Sequence, residues 1–422
     1  MEDLFYSFNP WWDNQPFDSG ISRPDYLSQI DFGRKQIEIL IGSRRTGKTT
    51  LLKQLVHALL KESISPHHIL YLTLDHPRLA STPISQHLTS FRKLHNLDRR
   101  TKLYLFFDEV QESPNWEAEL KAVYDLDNVK IFCTGSTASL IQSQGGKLTG
   151  RQIVTTLYPL SFSEFLKFRS LAISPSEPYK SESEAEKYLQ LGGYPENVLH
   201  PSPEYLKNLL SDILARDILR TFPVRKPAPL KDIVLLLSSS VGSRTSFNKF
   251  ARVLDISVDT VRDYIYYLEQ SFLVKTMTKW TPSHTEKVYA SKKIYFIDTG
   301  IKSLLTGEGD LGAKAENAVF VNLLRGERTP GYFAESEREV DFVLGKPGTP
   351  YPIEVKYLSA LDWDDRIFAG MRLFFKRHPH TKNALIVTKN VEREFTEGQT
   401  RIQAIPLWKF LKDDPAHFVI NH

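Results

Sequence analysis

The chain has 422 residues, 41% of them hydrophobic and 25% charged, with a formal net charge of +4 at neutral pH. That length suits about two or three domains, and the apolar share suffices for more than one core. A single cysteine, Cys133, excludes an internal disulfide, no apolar run is long enough to cross a bilayer, and the acidic, aromatic N-terminus is unlike a secretion signal, so a cytoplasmic protein with no membrane partner is expected.

The first thirty or so residues read as irregular, punctuated by Pro10, Pro16, Gly20 and Pro24. An alternation of apolar strand, turn and helix follows, with strands expected at 36–41, 69–74, 103–107, 129–134 and 153–157. Strands this apolar are buried on both faces, as in a parallel sheet covered by helices, so an α/β domain is expected. Residues 170–183 read as an exposed Ser/Pro-rich loop, and 184–191 and 203–221 as helices forming a lid on the sheet domain. Pro223 and Pro227 mark a boundary before a helical module at 230–280. From Lys293 the α/β pattern returns: a strand at 294–297, a helix near 313–325, strands near 331–335, 339–344 and 351–356, a helix near 364–376 and a strand at 384–387.

Gly42-Ser43-Arg44-Arg45-Thr46-Gly47-Lys48-Thr49, followed by Thr50, fits a phosphate-binding loop between a strand and an apolar helix. Small residues let backbone N–H groups turn toward phosphate, and the helix aims its positive end at the same place. Lys48 is expected on the outer phosphates of ATP and the Thr49 hydroxyl on Mg2+. A second apolar strand ends in Asp108-Glu109, which delivers two carboxylates to the sheet's C-terminal edge. Asp108 would hold the magnesium shell, and Glu109 would orient and polarise the attacking water. Ser136 reads either as a hydrogen-bond sensor of the terminal phosphate or as a plain helix cap. Arg151 reads either as a cation that neutralises charge on a phosphate, in trans in a homo-oligomer, or as a surface arginine.

Residues from about 20 to 225 resemble AAA+ ATPases, of the bacterial and archaeal branch that carries a C-terminal domain long of unknown function. The resemblance rests on the extra strand at 69–74, Asp108-Glu109-Val110-Gln111, Thr134-Gly135-Ser136, Gly150-Arg151 and the run from Pro159 to Phe165. It implies that Ser136 is a first sensor and that Arg151 lies in the arginine-finger region, although no second-sensor arginine is evident. Gly192-Gly193-Tyr194-Pro195 resembles a signature that packs beside the adenine, which implies that Pro195 contacts nucleotide.

Residues 246–254, a turn at 255–257 and 258–272 read as a helix-turn-helix. Phe247, Phe250 and Leu254 line one helix, and Val261, Ile265 and Leu268 the other. Residues 273–280 and 287–289 are expected as strands of a wing. Thr260, Arg262 and Tyr266 would face a DNA groove, with Lys249, Arg252, Lys275 and Lys279 on phosphates. Asp255, Asp259, Asp263 and Glu269 speak instead for a bundle that only packs or binds protein.

Asp341 and Glu354-Val355-Lys356 lie on successive strands, and hairpin pairing brings the acids together with Lys356 on the same face as Glu354. Two carboxylates can chelate magnesium beside a lysine that positions water, and Glu316 on the preceding helix would complete the site. With Glu316-Asn317 and Glu339-Val340-Asp341, this resembles the PD-(D/E)xK restriction-endonuclease-like fold. The alternative is a remnant that no longer cuts, with Glu354 and Lys356 in a salt bridge. The expected organisation is an AAA+ core at 1–165, a helical lid at 166–225, a winged-helix-like module at 226–290 and a nuclease-like α/β domain at 291–422. The expected activity is ATP hydrolysis coupled to action on DNA, with metal-dependent cleavage. The rival is a nucleotide-dependent switch that binds DNA or an unidentified protein partner through an inactive C-terminal domain.

Overall fold

A computed structural model describes residues 2–135, 146, 148–174 and 176–412, and divides them between two compact units, one ending at Leu157 and one beginning at Tyr158. In the first unit five strands form one sheet: β1 (Ile37–Ile41), β2 (Ile69–Thr73), β3 (Leu103–Asp108), β4 (Val129–Gly135) and β5 (Gln152–Thr156). Their order is β2-β3-β4-β1-β5, and every pairing is parallel. Every residue of β1, β3 and β4 is buried, so the continuous apolar runs in the sequence report strands covered on both faces. Each fully buried Leu, Ile or Phe contributes about 1.5–3 kcal/mol. Cys133 lies in this core, and burial pushes its thiol pKa up.

The N-terminal segment is not irregular, as its prolines suggest. It forms a helix, Glu2–Phe8, and a 3-10 turn, Pro10–Asp13, that bury Phe5, Trp11 and Trp12. The segment covers the edge of β2. The Asn9 amide donates to the Tyr71 carbonyl at 2.9 Å and accepts from the Tyr71 N–H at 2.7 Å, while Trp12 Nε1 donates to the Ile69 carbonyl at 2.9 Å. A side chain thus completes the hydrogen bonds that a neighbouring strand would supply to an otherwise open edge.

In the second unit the helices expected as a lid, chiefly Pro178–Leu191 and Pro203–Asp212, are built into this unit's own core. The Thr299 hydroxyl donates to the Tyr188 carbonyl at 3.1 Å, and the Gly193 N–H donates to Asp298 Oδ2 at 2.6 Å. Three strands, β6 (Arg244–Thr245), β7 (Val274–Met277) and β8 (Lys292–Phe296), form an antiparallel sheet of order β6-β8-β7. With the helices Pro227–Ser239, Phe247–Leu254 and Val258–Gln270 they form a module in which two helices joined by a tight turn accompany a small antiparallel sheet, the wing of the expected arrangement. Ser246 and Ser257 cap the last two helices by accepting from the N–H groups of Lys249 and Thr260. One expectation is corrected here. Residues 287–289 belong to a short helix, His284–Tyr289, and the strand that closes the wing sheet is β8.

The remaining strands are β9 (Gly331–Glu335), β10 (Arg338–Leu344), β11 (Tyr351–Lys356), β12 (Asn383–Thr388), β13 (Arg393–Glu397) and β14 (Thr400–Pro406). They form a mixed sheet of order β13-β14-β12-β11-β10-β9. The helix Leu311–Arg325 precedes it, and Ala369–Arg377 links β11 to β12. The hairpin of β13 and β14 and the helix Leu407–Lys412 extend the expected pattern. Among the described residues no helix is long and apolar enough to cross a membrane.

Candidate functional site

In the first unit β1 runs into the phosphate-loop sequence, and the helix Lys48–Lys61 starts at Gly47 without a side-chain cap. Gly42 is required where the strand ends. It has φ 149°, and a Cβ there would lie 2.3 Å from the Leu157 carbonyl oxygen. Lys48 is buried, and its Nζ donates to the carbonyls of Gly42 at 3.0 Å and Ser43 at 2.9 Å, which folds the ammonium over its own loop. Ser43 and Thr46 are buried within the loop, Arg45 takes a left-handed φ of 60°, and Arg44 and Thr50 complete the set.

Asp108, at the end of β3, is the hub. Its Oδ2 accepts from the Thr49 hydroxyl at 2.6 Å and the Tyr71 hydroxyl at 3.0 Å, and its Oδ1 accepts from the Thr134 hydroxyl. Three hydroxyls from three elements therefore fix one carboxylate, and one of them is the predicted magnesium ligand. Burial, with Asp108 alongside, pushes the Tyr71 phenol pKa up, so this residue is a fixed donor. Glu109 follows with a left-handed φ of 52°. Its N–H donates to Thr134 Oγ1 at 2.9 Å, and Gln111 Nε2 donates to its Oε2 at 2.5 Å, so both backbone and carboxylate are held.

Sequence reasoning missed Tyr71, the bridging role of Thr134, and Arg23. Buried Arg23 donates through Nη1 to the Thr46 carbonyl at 2.9 Å and through its N–H to Gln54 Oε1 at 3.1 Å, which straps the N-terminal segment to the loop. Ser136 lies outside the described residues. Arg151 is not brought to this site. It precedes β5 at the end of the sheet opposite the loop, about 16 Å away by strand rise, and pairs with Asp125 at 3.0 Å.

Pro195 opens the helix Pro195–Leu199 in the second unit. The preceding glycines pack against protein. A Cβ on Gly193 would lie 2.4 Å from the Leu160 carbonyl oxygen, and the Gly193 N–H binds Asp298. Burial pushes the Asp298 pKa up to about 6, against the lowering effect of hydrogen bonds from Gly193, Ile301 and Gly300.

The second candidate centre lies across β10, β11 and the helix Leu311–Arg325. The hairpin brings Asp341 and Glu354 together as the spacing predicts. The Val355 N–H donates to Asp341 Oδ2 at 2.8 Å, and the Asp341 N–H to Glu354 Oε2 at 3.2 Å. Lys356 Nζ pairs with Glu354 at 2.5 Å and lies 3.9 Å from Asp341. Glu316 joins them, but a residue the sequence did not single out stands in the middle. Lys293, on β8, is fully buried, with Nζ 2.6 Å from Glu339, 3.3 Å from Glu316 and 3.5 Å from Asp341. Tyr295, two residues on, donates to Glu316 Oε1 at 2.7 Å. Burial and the charge of Asp341 raise the pKa values of Glu316 and Glu354. Burial alone would lower Lys293, but Glu316, Asp341 and Glu339 together raise it and keep it an ammonium.

On the helix-turn-helix, Arg262 and Tyr266 are exposed, as are Lys249 and Arg252. Arg262 pairs with Asp259 at 3.0 Å, Lys275 with Glu269 at 3.8 Å and Lys279 with Glu286 at 2.7 Å, so three of the expected phosphate or groove contacts already have acidic partners.

Residues 34–166 match the family described as AAA domain. Residues 182–312 match a domain of unknown function (DUF8612), and 311–410 another (DUF4143), so the change of family falls after β8, in agreement with its place in the wing. The chain is 27% identical to an uncharacterized protein of Haemophilus influenzae over 80% of this chain and 87% of that protein. It is also 27% identical to an uncharacterized protein of Methanocaldococcus jannaschii over 89% of this chain and 88% of that one. The AMPPCP-bound DnaA structure from Aquifex aeolicus is 15% identical and covers 63% of this chain and 87% of that chain, with a TM-score of 0.23. The first unit is thus an α/β phosphate-loop fold with a parallel five-stranded sheet, similar to AAA domains.

Proposed function

We propose that the chain is an ATP-hydrolysing switch, an AAA+ ATPase whose second unit engages DNA through the helix Val258–Gln270 and the wing. The observation that carries the ATPase reading is the hub at Asp108, where the loop hydroxyl of Thr49 and the strand carboxylate lie 2.6 Å apart beside a held Glu109. An adjacent hydroxyl and carboxylate suit a hard cation, so Thr49 and Asp108 would hold Mg2+, which when bound neutralises phosphate charge. The Lys48 ammonium leaves its loop carbonyls for phosphate oxygens. Glu109 orients a water and accepts its proton, with its carboxylate fixed by Gln111. Lys48→Ala tests the assignment: it should lose most ATP binding in a fluorescent-nucleotide titration, and retained wild-type affinity would remove it.

Support for DNA comes from the exposed Arg262 and Tyr266 on a capped helix beside a wing. Duplex binding that weakens with salt and changes between ATP and ADP is the expected behaviour. Arg151, remote from its own phosphate loop, would serve a neighbouring subunit's site in a homo-oligomer. Mixing Arg151→Ala with Glu109→Gln protein should then restore part of the turnover each lacks alone.

A second reading, metal-dependent phosphodiester cleavage by the second unit, is favoured by the convergence of Asp341, Glu354 and Lys356. Among the described residues no three acids are grouped to hold a metal ion as they stand, because Glu316, Glu339 and Asp341 surround the Lys293 ammonium instead. Asp341, Glu354 and Glu316 would hold a divalent ion only with that ammonium displaced, and Lys356 would then position water. Cleavage of plasmid DNA in magnesium or manganese by wild type but not by Asp341→Ala is expected. No cleavage by wild type on single- or double-stranded DNA leaves the binding switch alone.

A further inference from the structure

The carboxylates of Glu316, Glu339 and Asp341 come from a helix and from β10, yet the cation they share comes from neither. Lys293 belongs to β8 of the wing sheet, where its register neighbours are Arg244 on β6 and Met277 on β7. Arg244 also reaches the cluster, with Nε 3.4 Å from Glu339 Oε2. The wing sheet thus delivers two cations to acids held by β10 and the helix Leu311–Arg325. The Lys293 side chain is fully buried, and a buried ammonium surrounded by three carboxylates is stable only while they remain charged around it.

We propose that Lys293 is a tethered cation that occupies the position of a divalent metal in this cluster, so that ammonium and metal exclude one another. The inference deepens the second reading, because it rests on the same carboxylates being able to hold an ion, and it makes displacement of Lys293 by bound DNA a condition of cleavage by wild type. The physical argument is one of space and charge. A divalent ion needs oxygens at about 2.0–2.6 Å. An ion on the facing oxygens of Glu316 and Asp341 would compete for the same lone pairs that now hold Nζ at 3.3 and 3.5 Å. Two cations sharing those oxygens in a buried site repel strongly. Metal therefore enters only when the ammonium leaves, and removing Lys293 opens the seat.

Lys293→Met keeps most of the side-chain volume and removes the charge. Other partners remain: Tyr295 on Glu316, Arg244 on Glu339 and the Val355 N–H on Asp341. The test is manganese binding to the full chain without nucleotide, by calorimetry, with thermal melting as a second readout. Lys293→Met should melt below wild type, bind Mn2+ at least tenfold more tightly and regain melting temperature in Mn2+, while wild type shows no such rise. Adding Asp341→Asn to Lys293→Met should abolish both effects, which separates this seat from Thr49 and Asp108. If Lys293→Met does not fold, Lys293→Met with Glu339→Gln removes one acid with the cation and should show the same gain. Equal Mn2+ affinity in wild type and variant would overturn the proposal while leaving the cleavage reading intact. Weaker binding, or none, in both folded variants would overturn it too. Tight Mn2+ binding by Lys293→Met without DNA cleavage would uphold the proposal and remove the cleavage reading.

Discussion

Thr49 Oγ1 donates to Asp108 Oδ2 at 2.6 Å, so a hydroxyl from the phosphate loop and a carboxylate from β3 meet at the C-terminal edge of the sheet. Asp108→Asn keeps the shape but removes the charge that would face magnesium. Its affinity for ATP in magnesium should fall at least tenfold, and its affinity in EDTA should change much less. Paired titrations with fluorescent nucleotide check this. An equal loss with and without the metal would mean that Asp108 serves the loop's fold rather than the ion.

Thr134 serves both acids: its hydroxyl donates to Asp108 Oδ1 and accepts the Glu109 N–H. Thr134→Val retains volume and loses both bonds. The expected outcome is a kcat lowered about tenfold or more with KM for ATP changed little, since the base is misplaced and the phosphate contacts remain. A rise in KM alone would assign Thr134 to binding.

Asp298 has a folded pKa of about 6 against an ordinary 3.8, because burial outweighs its hydrogen bonds. For an acid with a raised folded pKa, the protonated form is the one that favours folding. Its stabilisation is present below about pH 4 and is lost as pH rises through about 6. Relative to Asp298→Asn, which cannot titrate, wild type should lose on the order of 2–3 kcal/mol between those limits and stay level above them. Denaturant melts of both proteins at intervals from about pH 4 to 7.5 measure the difference. A difference independent of pH would place the Asp298 pKa in the ordinary range.

Gly193→Ala places a Cβ 2.4 Å from the Leu160 carbonyl oxygen, and backbone cannot yield as a flexible side chain would. A loss of about 1–3 kcal/mol or more is expected. Gly348→Ala, where a Cβ meets nothing within 4 Å, is the matched control and should change stability far less. Comparable losses in the two would show that backbone freedom, not the close approach, sets the cost.

What the sequence disclosed follows the range of each interaction. The loop at 42–49 and Asp108-Glu109 are contiguous runs whose chemistry is local, and the hairpin of β10 and β11 is short, so Asp341, Glu354 and Lys356 were readable from spacing. Lys293 was not: its partners lie 23 to 48 residues downstream, and on its own it reads as an ordinary strand residue. Asn9 was hidden for the same reason, because its partner Tyr71 is 62 residues away and a side chain does the work of a strand. The strand β13 was missed because its residues are exposed or only half-buried, which gives no buried apolar run.

The central claim is that the first unit hydrolyses ATP with Glu109 as the base. The most direct measurement is phosphate release from ATP and magnesium by wild type and Glu109→Gln, with bound nucleotide quantified in the same samples. Wild type should turn over, and Glu109→Gln should bind ATP about as well while releasing phosphate 10² to 10⁴ times more slowly. Unchanged turnover in Glu109→Gln, or no turnover by wild type despite bound ATP in the presence of DNA, would contradict the account.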